Sequence, residues 1–384
     1  MLVFSIKHQL IRFVIIYFRF KTNSQDVLIN KLRKFAPMSS KLRKLLYPLS
    51  VLYEGITHVR NKLYDKEILK SNEFGIPTIL VGNLRVGGTG KTPQVIYLIN
   101  LLKDAYKVAV LSRGYKRKTT GFILASNTST SKDIGDEPYQ FYKKFPKLLV
   151  AVDEDRTHGI NKLQELSNPP DVIILDDAFQ HRKIQAGFSI LITAYDDLYI
   201  NDSHLPSGNL RENIKGANRA DVIIVSKCPD NLTEEEEYQT AVKLQPTLKQ
   251  IIFFTKIIYA DFIQNSNDKI SLSDLVDYTI LLVTGIANPK PLVKFLESKK
   301  INFEHISFPD HHNLKTSEIN RINKKLDTIE NKNKLILSTE KDYVRIFDSL
   351  ENLYFLVIET TFINHQKDFD KLIIDYVGEN TRDR

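Results

Sequence analysis

Short apolar runs alternate along the chain with stretches in which apolar residues recur every three or four positions. Apolar runs bounded by turn residues predict buried strands, and the helical spacing between them predicts amphipathic helices. Such alternation is typical of α/β architecture with mainly parallel sheets. The predicted strands cover residues 78–81, 108–112, 148–152, 172–175, 188–193, 222–226, 251–255, 280–284, 334–338 and 354–358.

The segment before the first predicted strand has a different pattern, with apolar residues at helical spacing from Leu42 to Leu63 and basic residues among them. We predict an amphipathic helix in residues 38–66, which Pro48 either kinks or starts afresh. An apolar stripe with basic flanks can lie on an anionic membrane surface. A core-facing helix with a solvated basic face is the alternative, and periodicity alone favours it.

A glycine-rich segment, Arg85-Val-Gly-Gly-Thr-Gly-Lys-Thr92, follows the first predicted strand and precedes a helical pattern. Glycines let backbone N–H groups close around phosphate oxygens, while Lys91 reaches the β- and γ-phosphates and the Thr92 hydroxyl holds Mg²⁺. The segment therefore predicts a P-loop for ATP and Mg²⁺, although Arg85 stands where glycine is usual. A tight turn that only opens a helix is the alternative. The candidate nucleotide-binding residues are Arg85, Val86, Gly87, Gly88, Thr89, Gly90, Lys91 and Thr92.

An acidic pair, Asp176 and Asp177, follows the apolar run of residues 172–175. Ligands of open α/β sheets bind at the carboxyl edge of the strands, so either acid is a candidate for the shell of the Mg²⁺ ion. A strand end followed by a polar turn would explain the pair without a metal. The glycine-rich segment upstream favours the metal interpretation.

These patterns divide the chain into four predicted parts, with a junction near the polar stretch 260–274. An apolar run near the N-terminus is interrupted by Arg12 and Arg19, and it is shorter than the roughly 20 residues of a membrane span. The predicted parts are an N-terminal extension, residues 1–37; the amphipathic helix, 38–66; the P-loop domain, 67–258; and a smaller C-terminal α/β domain, 275–376.

Composition narrows the choice of partner only in part. The chain has 54 basic and 46 acidic residues and a net charge of +8, which suits anionic lipid, nucleic acid or phosphorylated substrates. Basic residues do not interleave with aromatic ones in a continuous patch, so we expect no nucleic-acid partner. The single cysteine, Cys228, excludes an internal disulfide and suits a reducing compartment.

Further turns carry groups able to handle phosphate or protons. Arg113 and Arg182 each stand in a polar turn after a predicted strand. A solvated side chain is an equally common alternative for Arg113 and the more common one for Arg182. Asp136 and Glu137 precede a helical stretch, where the helix dipole alone would favour acids. His311 follows an acid in Phe308-Pro-Asp-His-His312, and a histidine polarised by a carboxylate suits proton transfer.

Taken together, the ordered motifs resemble those of the tetraacyldisaccharide 4′-kinase family, the lipid A 4′-kinases of Gram-negative bacteria. The resemblance runs from about Met38 to about Ile358. Members usually begin near the position of Met38, so residues 1–37 are either a lineage-specific extension or the result of a misassigned start codon. The motifs are Tyr47-Pro-Leu-Ser-Val-Leu-Tyr53, Val81-Gly-Asn-Leu-Arg-Val-Gly-Gly-Thr-Gly-Lys-Thr-Pro93, Leu111-Ser-Arg-Gly-Tyr-Lys-Arg117, Gly135-Asp-Glu-Pro138, Asp176-Asp-Ala-Phe-Gln-His181, Leu205-Pro-Ser-Gly208, Phe308-Pro-Asp-His-His312 and Thr339-Glu-Lys-Asp342.

The resemblance implies ATP-dependent phosphorylation of the 4′-hydroxyl of a tetraacylated glucosamine disaccharide 1-phosphate. It implies that Asp136 acts as base on this hydroxyl with the help of His311, and that Lys91 holds phosphate. A lipid substrate implies a peripheral protein at the cytoplasmic, anionic face of the inner membrane, and we expect a monomer. By this resemblance the catalytic residues are Asp136, His311, Lys91 and Arg113, with Arg182 as a further charge stabiliser, and the metal candidates are Thr92, Asp177, Asp176 and Glu137.

A membrane-associated regulatory ATPase of the partitioning type is the alternative function, because it would share the glycine-rich segment. Those proteins carry an additional lysine early in the loop, where this chain has Val86. The difference favours the kinase.

Overall fold

The computed structural model describes Ile29, Leu32 and residues 40–381, apart from 311, 313 and 347–349. Most of the predicted extension, residues 1–37, therefore lies outside the described residues. The chain divides into two compact units. The first comprises Met1–Lys91, Ile174–Phe254 and Lys371–Arg384, and the second comprises Thr92–Ile173 and Thr255–Asp370.

The first unit is built on parallel strands in the order β7-β6-β1-β5, and the start of β8 lies parallel to β7. Every residue of β1, β5 and β7 is buried. Such strands are typical of a parallel sheet that is covered on both faces. The strands are β1 (Thr78–Gly82), β5 (Val172–Asp176), β6 (Phe188–Ala194), β7 (Val222–Ser226) and β8 (Ile251–Gln264).

Two helices precede β1, namely α1 (Ser40–Lys44) and α2 (Tyr47–Asp65). Pro48 lies in the first turn of α2, so the predicted fresh start is confirmed. Proline is tolerated there because the first N–H groups of a helix have no intrahelical partner. Two further helices are α7 (Glu234–Leu244) and α11 (Gln366–Thr381).

The second unit contains two sets of strands. In the first set β2 is parallel to β4, and β3 is antiparallel to β4. In the second set β10, β11, β12 and β13 are parallel, and the end of β8 runs antiparallel to both β13 and β9. The strands are β2 (Val108–Ser112), β3 (Ile123–Leu124), β4 (Leu149–Val152), β9 (Lys269–Ser271), β10 (Thr279–Thr284), β11 (Asn302–Ser307), β12 (Lys334–Thr339) and β13 (Leu353–Phe362).

Helices cover both faces of the second set of strands. Leu292 packs with Leu282 in one buried cluster, and Ile322 packs with Leu281 in another. Consecutive residues of one strand therefore reach opposite cores, as the two-residue period of a strand requires. The remaining helices are α3 (Lys91–Leu102), α4 (Ser131–Ile134), α5 (Asp136–Lys144), α6 (Arg156–Gln164), α8 (Lys290–Ser298), α9 (Thr316–Asp327) and α10 (Glu340–Ile346).

All ten predicted strands are present, and the predicted α/β fold is confirmed. The sequence did not predict β3, β9 and β11, because these strands are short or largely exposed and have no continuous apolar run. The polar stretch 260–274 contains the end of β8 and all of β9, which form an antiparallel pair. The division into domains at this stretch stays a prediction.

Gly82, the last residue of β1, tests the packing of the first unit. A Cβ at Gly82 would lie 2.6 Å from Cβ and 3.1 Å from the backbone nitrogen of Phe179. Rotation of a side chain cannot relieve a contact with backbone, so Gly82→Ala should lower the free energy of unfolding by about 1–3 kcal/mol. Chemical denaturation measures this change.

Gly55→Ala is the matched control, because a Cβ at Gly55 in α2 would meet no heavy atom within 4 Å. Alanine in a helix is more favourable than glycine by roughly 0.5–1 kcal/mol, so this variant should be at least as stable as the parent. An unchanged denaturation midpoint for Gly82→Ala would contradict the close approach of Gly82 to Phe179.

Candidate active site

The glycine-rich turn lies between β1 and α3, and α3 begins at Lys91. Gly87 and Gly90 have φ angles of +128° and +89°, which residues with side chains rarely adopt. A Cβ at Gly87 would meet no heavy atom within 4 Å, so the space beside the turn is open. The turn therefore presents open backbone at a helix N-terminus, an arrangement that suits phosphate oxygens.

Contacts within the first unit hold this turn in place. Nδ2 of Asn83 donates to Oγ1 of Thr89 at 2.8 Å, and Oγ of Ser226 donates to the carbonyl of Thr89 at 2.7 Å. Nζ of Lys227 donates to the carbonyl of Gly88 at 2.6 Å. Sequence reasoning missed these donors, although the carboxyl-edge rule applied to the end of β7 would have found Ser226 and Lys227.

Arg85 occupies the first position of the turn, where glycine is usual. Its side chain is buried and forms ion pairs with Asp197 and, at 2.7 Å, with Asp202. The N–H of Val86 donates to the carbonyl of Asn209 at 2.8 Å. These contacts hold Arg85 and the start of the turn in place. Direct contact of Arg85 and Val86 with a nucleotide stays a prediction.

One carboxylate joins two cations of the first unit. Nζ of Lys91 lies 3.6 Å and Nη1 of Arg211 lies 2.9 Å from the same oxygen of Asp177. The N–H of Asp177 donates to the carbonyl of Val81 at 2.9 Å, so the backbone fixes this acid at the end of β1. The structure thus brings together Lys91 and Asp177, and it adds Arg211, which was not among the site residues predicted from the sequence.

The residues predicted to hold Mg²⁺ include Asp176, which ends β5 and is buried, and Thr92, the second residue of α3. Among the described residues, no three histidine, cysteine, aspartate or glutamate side chains lie close enough together to coordinate one metal ion. Mg²⁺ does not need three protein ligands, because it keeps several waters and binds through one or two carboxylates and the phosphates. The carboxylates and the open turn of the first unit therefore fit a magnesium–nucleotide complex.

In the second unit, Asp136 is the first residue of α5 and faces a buried cation. Nε of Arg345 lies 3.7 Å from Oδ2 of Asp136, and Arg345 also pairs with Asp342. Asp342 accepts from the N–H of Gly285 and from Oγ1 of Thr339, each at 2.8 Å. The motif Thr339-Glu-Lys-Asp342, for which the sequence suggested no role, therefore positions the arginine that faces Asp136.

The turn before Asp136 packs on the turn after β2. A Cβ at Gly135 would lie 3.1 Å from Cα of Gly114 and from the carbonyl oxygen of Tyr115. Both glycines have positive φ angles, +92° and +72°. Arg113 and Asp136, which the resemblance assigned to one site, thus stand on adjoining turns of the second unit.

Glu137 and His311 are two further residues that the sequence predicted for the site. Glu137 is half-buried in the first turn of α5, and His311 lies outside the described residues. Its neighbour His312 stacks on Phe308 and places Nε2 2.9 Å from Oε2 of Glu318. The assignment of His311 as a partner of the base therefore stays a prediction from the sequence.

Arg182 has a local partner in the first unit. Its Nη2 lies 2.8 Å from Oδ1 of Asp65, and its guanidinium lies over the ring of Tyr64 at 5.2 Å. Burial, followed by the charge of Arg219, lowers the pKa of Arg182, and the contact with Asp65 opposes this shift. These contacts attach the end of α2, and a catalytic role of Arg182 stays a prediction.

Sequence comparison with known proteins identifies relatives of this chain. A protein of Flavobacterium johnsoniae named tetraacyldisaccharide 4′-kinase is 51% identical over 343 residues, which cover 88% of this chain and 98% of that protein. A protein of the same name from Bacteroides thetaiotaomicron is 43% identical over 361 residues, with 89% and 95% covered.

A solved structure of LpxK from Aquifex aeolicus in complex with ATP superimposes with a TM-score of 0.70 at 33% identity. The match covers 88% of this chain and 99% of that chain, and it confirms the predicted P-loop α/β fold. The sequence profile of the family described as tetraacyldisaccharide-1-P 4′-kinase matches residues 42–377. This chain therefore belongs to the tetraacyldisaccharide-1-P 4′-kinase family.

Proposed function

We propose that this chain transfers the γ-phosphate of ATP to the 4′-hydroxyl of tetraacyldisaccharide 1-phosphate, with Lys91 holding phosphate and Asp136 accepting the proton of the hydroxyl. Membership of the family confirms the predicted kinase function with ATP and Mg²⁺. It also favours this function over the regulatory ATPase. The observation that carries the assignment of residues is the contact of Lys91 and Arg211 with one carboxylate, next to an open glycine turn.

Phosphoryl transfer passes through a loose transition state with its charge spread over the oxygens, so catalysis depends on positioning and electrostatics. Lys91 supplies a cation whose position Asp177 sets, while Arg211 holds Asp177 from a second direction. Bound ATP with Mg²⁺ supplies the phosphoryl group and a counter-charge for its oxygens. The Thr92 hydroxyl and the carboxylates of Asp176 or Asp177 would hold the ion.

Proton acceptance is assigned to Asp136, assisted by His311, and Glu137 is a further candidate for the metal shell. The carboxylate of Asp136 is oriented by Arg345, whose own position is set by Asp342. In a loose transition state the base mainly orients the hydroxyl and accepts its proton late. Arg113, on the adjoining turn, is the cation assigned to the charge of the transferred group.

Lys91→Ala should abolish most of the phosphoryl transfer and leave the fold intact. Removal of a preorganised electrostatic stabiliser typically lowers kcat by about a hundredfold or more. Steady-state kinetics with ATP and tetraacyldisaccharide 1-phosphate in detergent micelles measure the loss. Lys103→Ala is the control, because the ammonium of Lys103 is exposed, bonds to Asn100 and lies over the ring of Phe145. A folded Lys91→Ala variant with the activity of the parent would refute the phosphate site.

Asp136→Asn should lower kcat by roughly a hundredfold, which is the lower end for loss of a general base. Asp133→Asn makes the same chemical change at a helix-capping residue and should retain activity.

If His311 assists Asp136, the double variant of Asp136→Asn and His311→Ala should lose less activity than the product of the two single losses. Multiplicative losses would mean that the two residues act independently.

We also propose that residues 42–65, which extend from the end of α1 through all of α2, dock on an anionic membrane surface, which would place the chain at the cytoplasmic face of the inner membrane. The buried residues of α2 are Ser50, Tyr53, Thr57 and Asn61, so its inner face is largely polar. Apolar exposed patches on a soluble surface often mark interaction sites. The exposed apolar residues of this segment are Leu42, Leu45, Tyr47, Val51, Leu52 and Val59.

Of the predicted stripe, Leu42, Leu45, Leu52 and Val59 are exposed, whereas Tyr53 is buried in a cluster with Leu205. The stripe therefore packs on the protein only in part, and its exposed part is the proposed lipid contact. Of the predicted basic flanks, Arg43 donates to the carbonyl of Pro206 and Arg60 to that of Gln180, so both attach the segment to the protein. Lys44 and Lys62 are exposed and remain candidates for lipid headgroups. In the described part of the chain, no helix combines the length and the apolar character that crossing a bilayer would require.

The pair of substitutions Leu45→Asp and Val59→Asp tests docking, because these side chains are 74% and 57% exposed. Loss of about 1.5 kcal/mol of apolar burial at each should weaken vesicle binding by roughly a hundredfold. Co-sedimentation with vesicles of mixed zwitterionic and anionic lipid measures the change. Tyr238→Asp with Val242→Asp, at exposed apolar residues of α7, is the matched control. If the variant with Leu45→Asp and Val59→Asp binds vesicles as well as the control double variant, residues 42–65 are excluded as the docking surface.

A further inference from the structure

The polar inner face of α2 meets a buried carboxylate. Glu212 is 1% exposed, and its Oε2 accepts from Nδ2 of Asn61 at 2.7 Å. Nη2 of Arg219 lies 2.9 Å from both carboxylate oxygens. A buried charge is strongly unfavourable unless it is paired and hydrogen-bonded, so these donors determine where Glu212 lies.

Gln180 extends this arrangement from Glu212 towards the glycine turn. Its Nε2 donates to Oε1 of Glu212 at 3.0 Å and to the carbonyl of Asn83 at 2.9 Å, while its Oε1 accepts from Nη1 of Arg211 at 3.2 Å. Two acceptors thus face the nitrogen and one donor faces the oxygen, a set that only an amide can satisfy. A glutamate of the same size would face Glu212 with like charge and leave the carbonyl of Asn83 without its donor.

Two series of contacts connect the amide of Gln180 to the residues proposed to bind phosphate. Along the first, Nδ2 of Asn83 donates to Oγ1 of Thr89 in the glycine turn at 2.8 Å. Along the second, Arg211 lies 2.9 Å from Asp177, which lies 3.6 Å from Lys91. Every step is a direct contact within the first unit, so a shift of the amide is transmitted to both sides of the phosphate site.

We propose that Gln180 is a positioning residue for phosphoryl transfer. Its amide holds Asn83 and Arg211, and through them the glycine turn and the pair of Lys91 and Asp177, in the geometry that binds phosphate. Gln180 acts through these groups and does not touch the reacting atoms. The inference rests on the proposed role of Lys91 in holding phosphate.

Gln180→Glu tests the proposal, because it changes the amide to a carboxylate without changing its size. Isothermal titration calorimetry with ATP and Mg²⁺ should show about a tenfold higher Kd at full stoichiometry, since a displaced site binds every phosphate less well. The value of kcat should fall by at least the same factor. A merely structural role would reduce the fraction of active protein, so the stoichiometry would fall and the Kd would stay unchanged.

A charge swap adds a readout specific to the amide. Gln180→Glu combined with Glu212→Gln restores a contact between one amide and one carboxylate, so the double variant should bind ATP more tightly than Gln180→Glu alone. Gln180→Met keeps a similar side-chain volume and adds no charge. If the Gln180→Glu variant does not fold, Gln180→Met should still raise the Kd for ATP.

Gln185→Glu is the matched control. Nε2 of Gln185 donates to Oε1 of Glu73 at 2.6 Å on the exposed surface, so the same substitution is made beside another glutamate. Water screens the like charges there, and both the Kd for ATP and kcat should equal those of the parent.

The outcomes separate this inference from the function on which it rests. Full activity of Lys91→Ala would overturn the phosphate site itself. Loss of activity in Lys91→Ala, combined with a parental Kd for both Gln180→Glu and Gln180→Met at full stoichiometry, would overturn only the role of Gln180. Lower stoichiometry at an unchanged Kd, or a charge-swapped variant no better than Gln180→Glu, would also overturn it.

Discussion

The carboxylate of Asp177, shared by Lys91 and Arg211, is the contact on which the candidate phosphate site depends. Its backbone N–H is bonded to Val81, so the ends of β1 and β5 set its position. Two cations on one carboxylate leave a net positive charge. The group is therefore both held in place and suited to an anion, which an unpaired lysine on a mobile side chain would not be.

The helix α2 reverses the usual arrangement, because its face towards the protein is largely polar and its exposed face carries apolar side chains. Its inner face is attached by hydrogen bonds, because Ser50 contacts Ser207 at 2.8 Å, Tyr53 donates to the carbonyl of Arg211, and Asn61 donates to Glu212. This largely polar attachment leaves Tyr47, Val51, Leu52 and Val59 exposed on the outside. The same helix can therefore present an apolar face to lipid and complete a buried network that reaches the phosphate site.

Much of the fold and part of the site follow from local pattern. The run of buried strand residues in β1, the glycines with positive φ and the start of α3 at Lys91 are all encoded within one short segment. The acids after β5 could be found because parallel strands end at one edge of a sheet. The end of β7 obeys the same rule, which points to Ser226 and Lys227, but only the coordinates show that these residues bond to Thr89 and Gly88.

The sequence by itself determined the α/β alternation, the P-loop and the family to which the chain belongs, because short-range spacing and ordered motifs carry that information. Only the tertiary structure decided which face of α2 is exposed, since a helical period is the same whether the apolar stripe meets protein or lipid. It alone showed that Arg345 faces Asp136 and that Gln180 joins Asn83 to Arg211. These contacts join residues far apart in the chain, and the direction of a hydrogen bond depends on partners that no local pattern specifies.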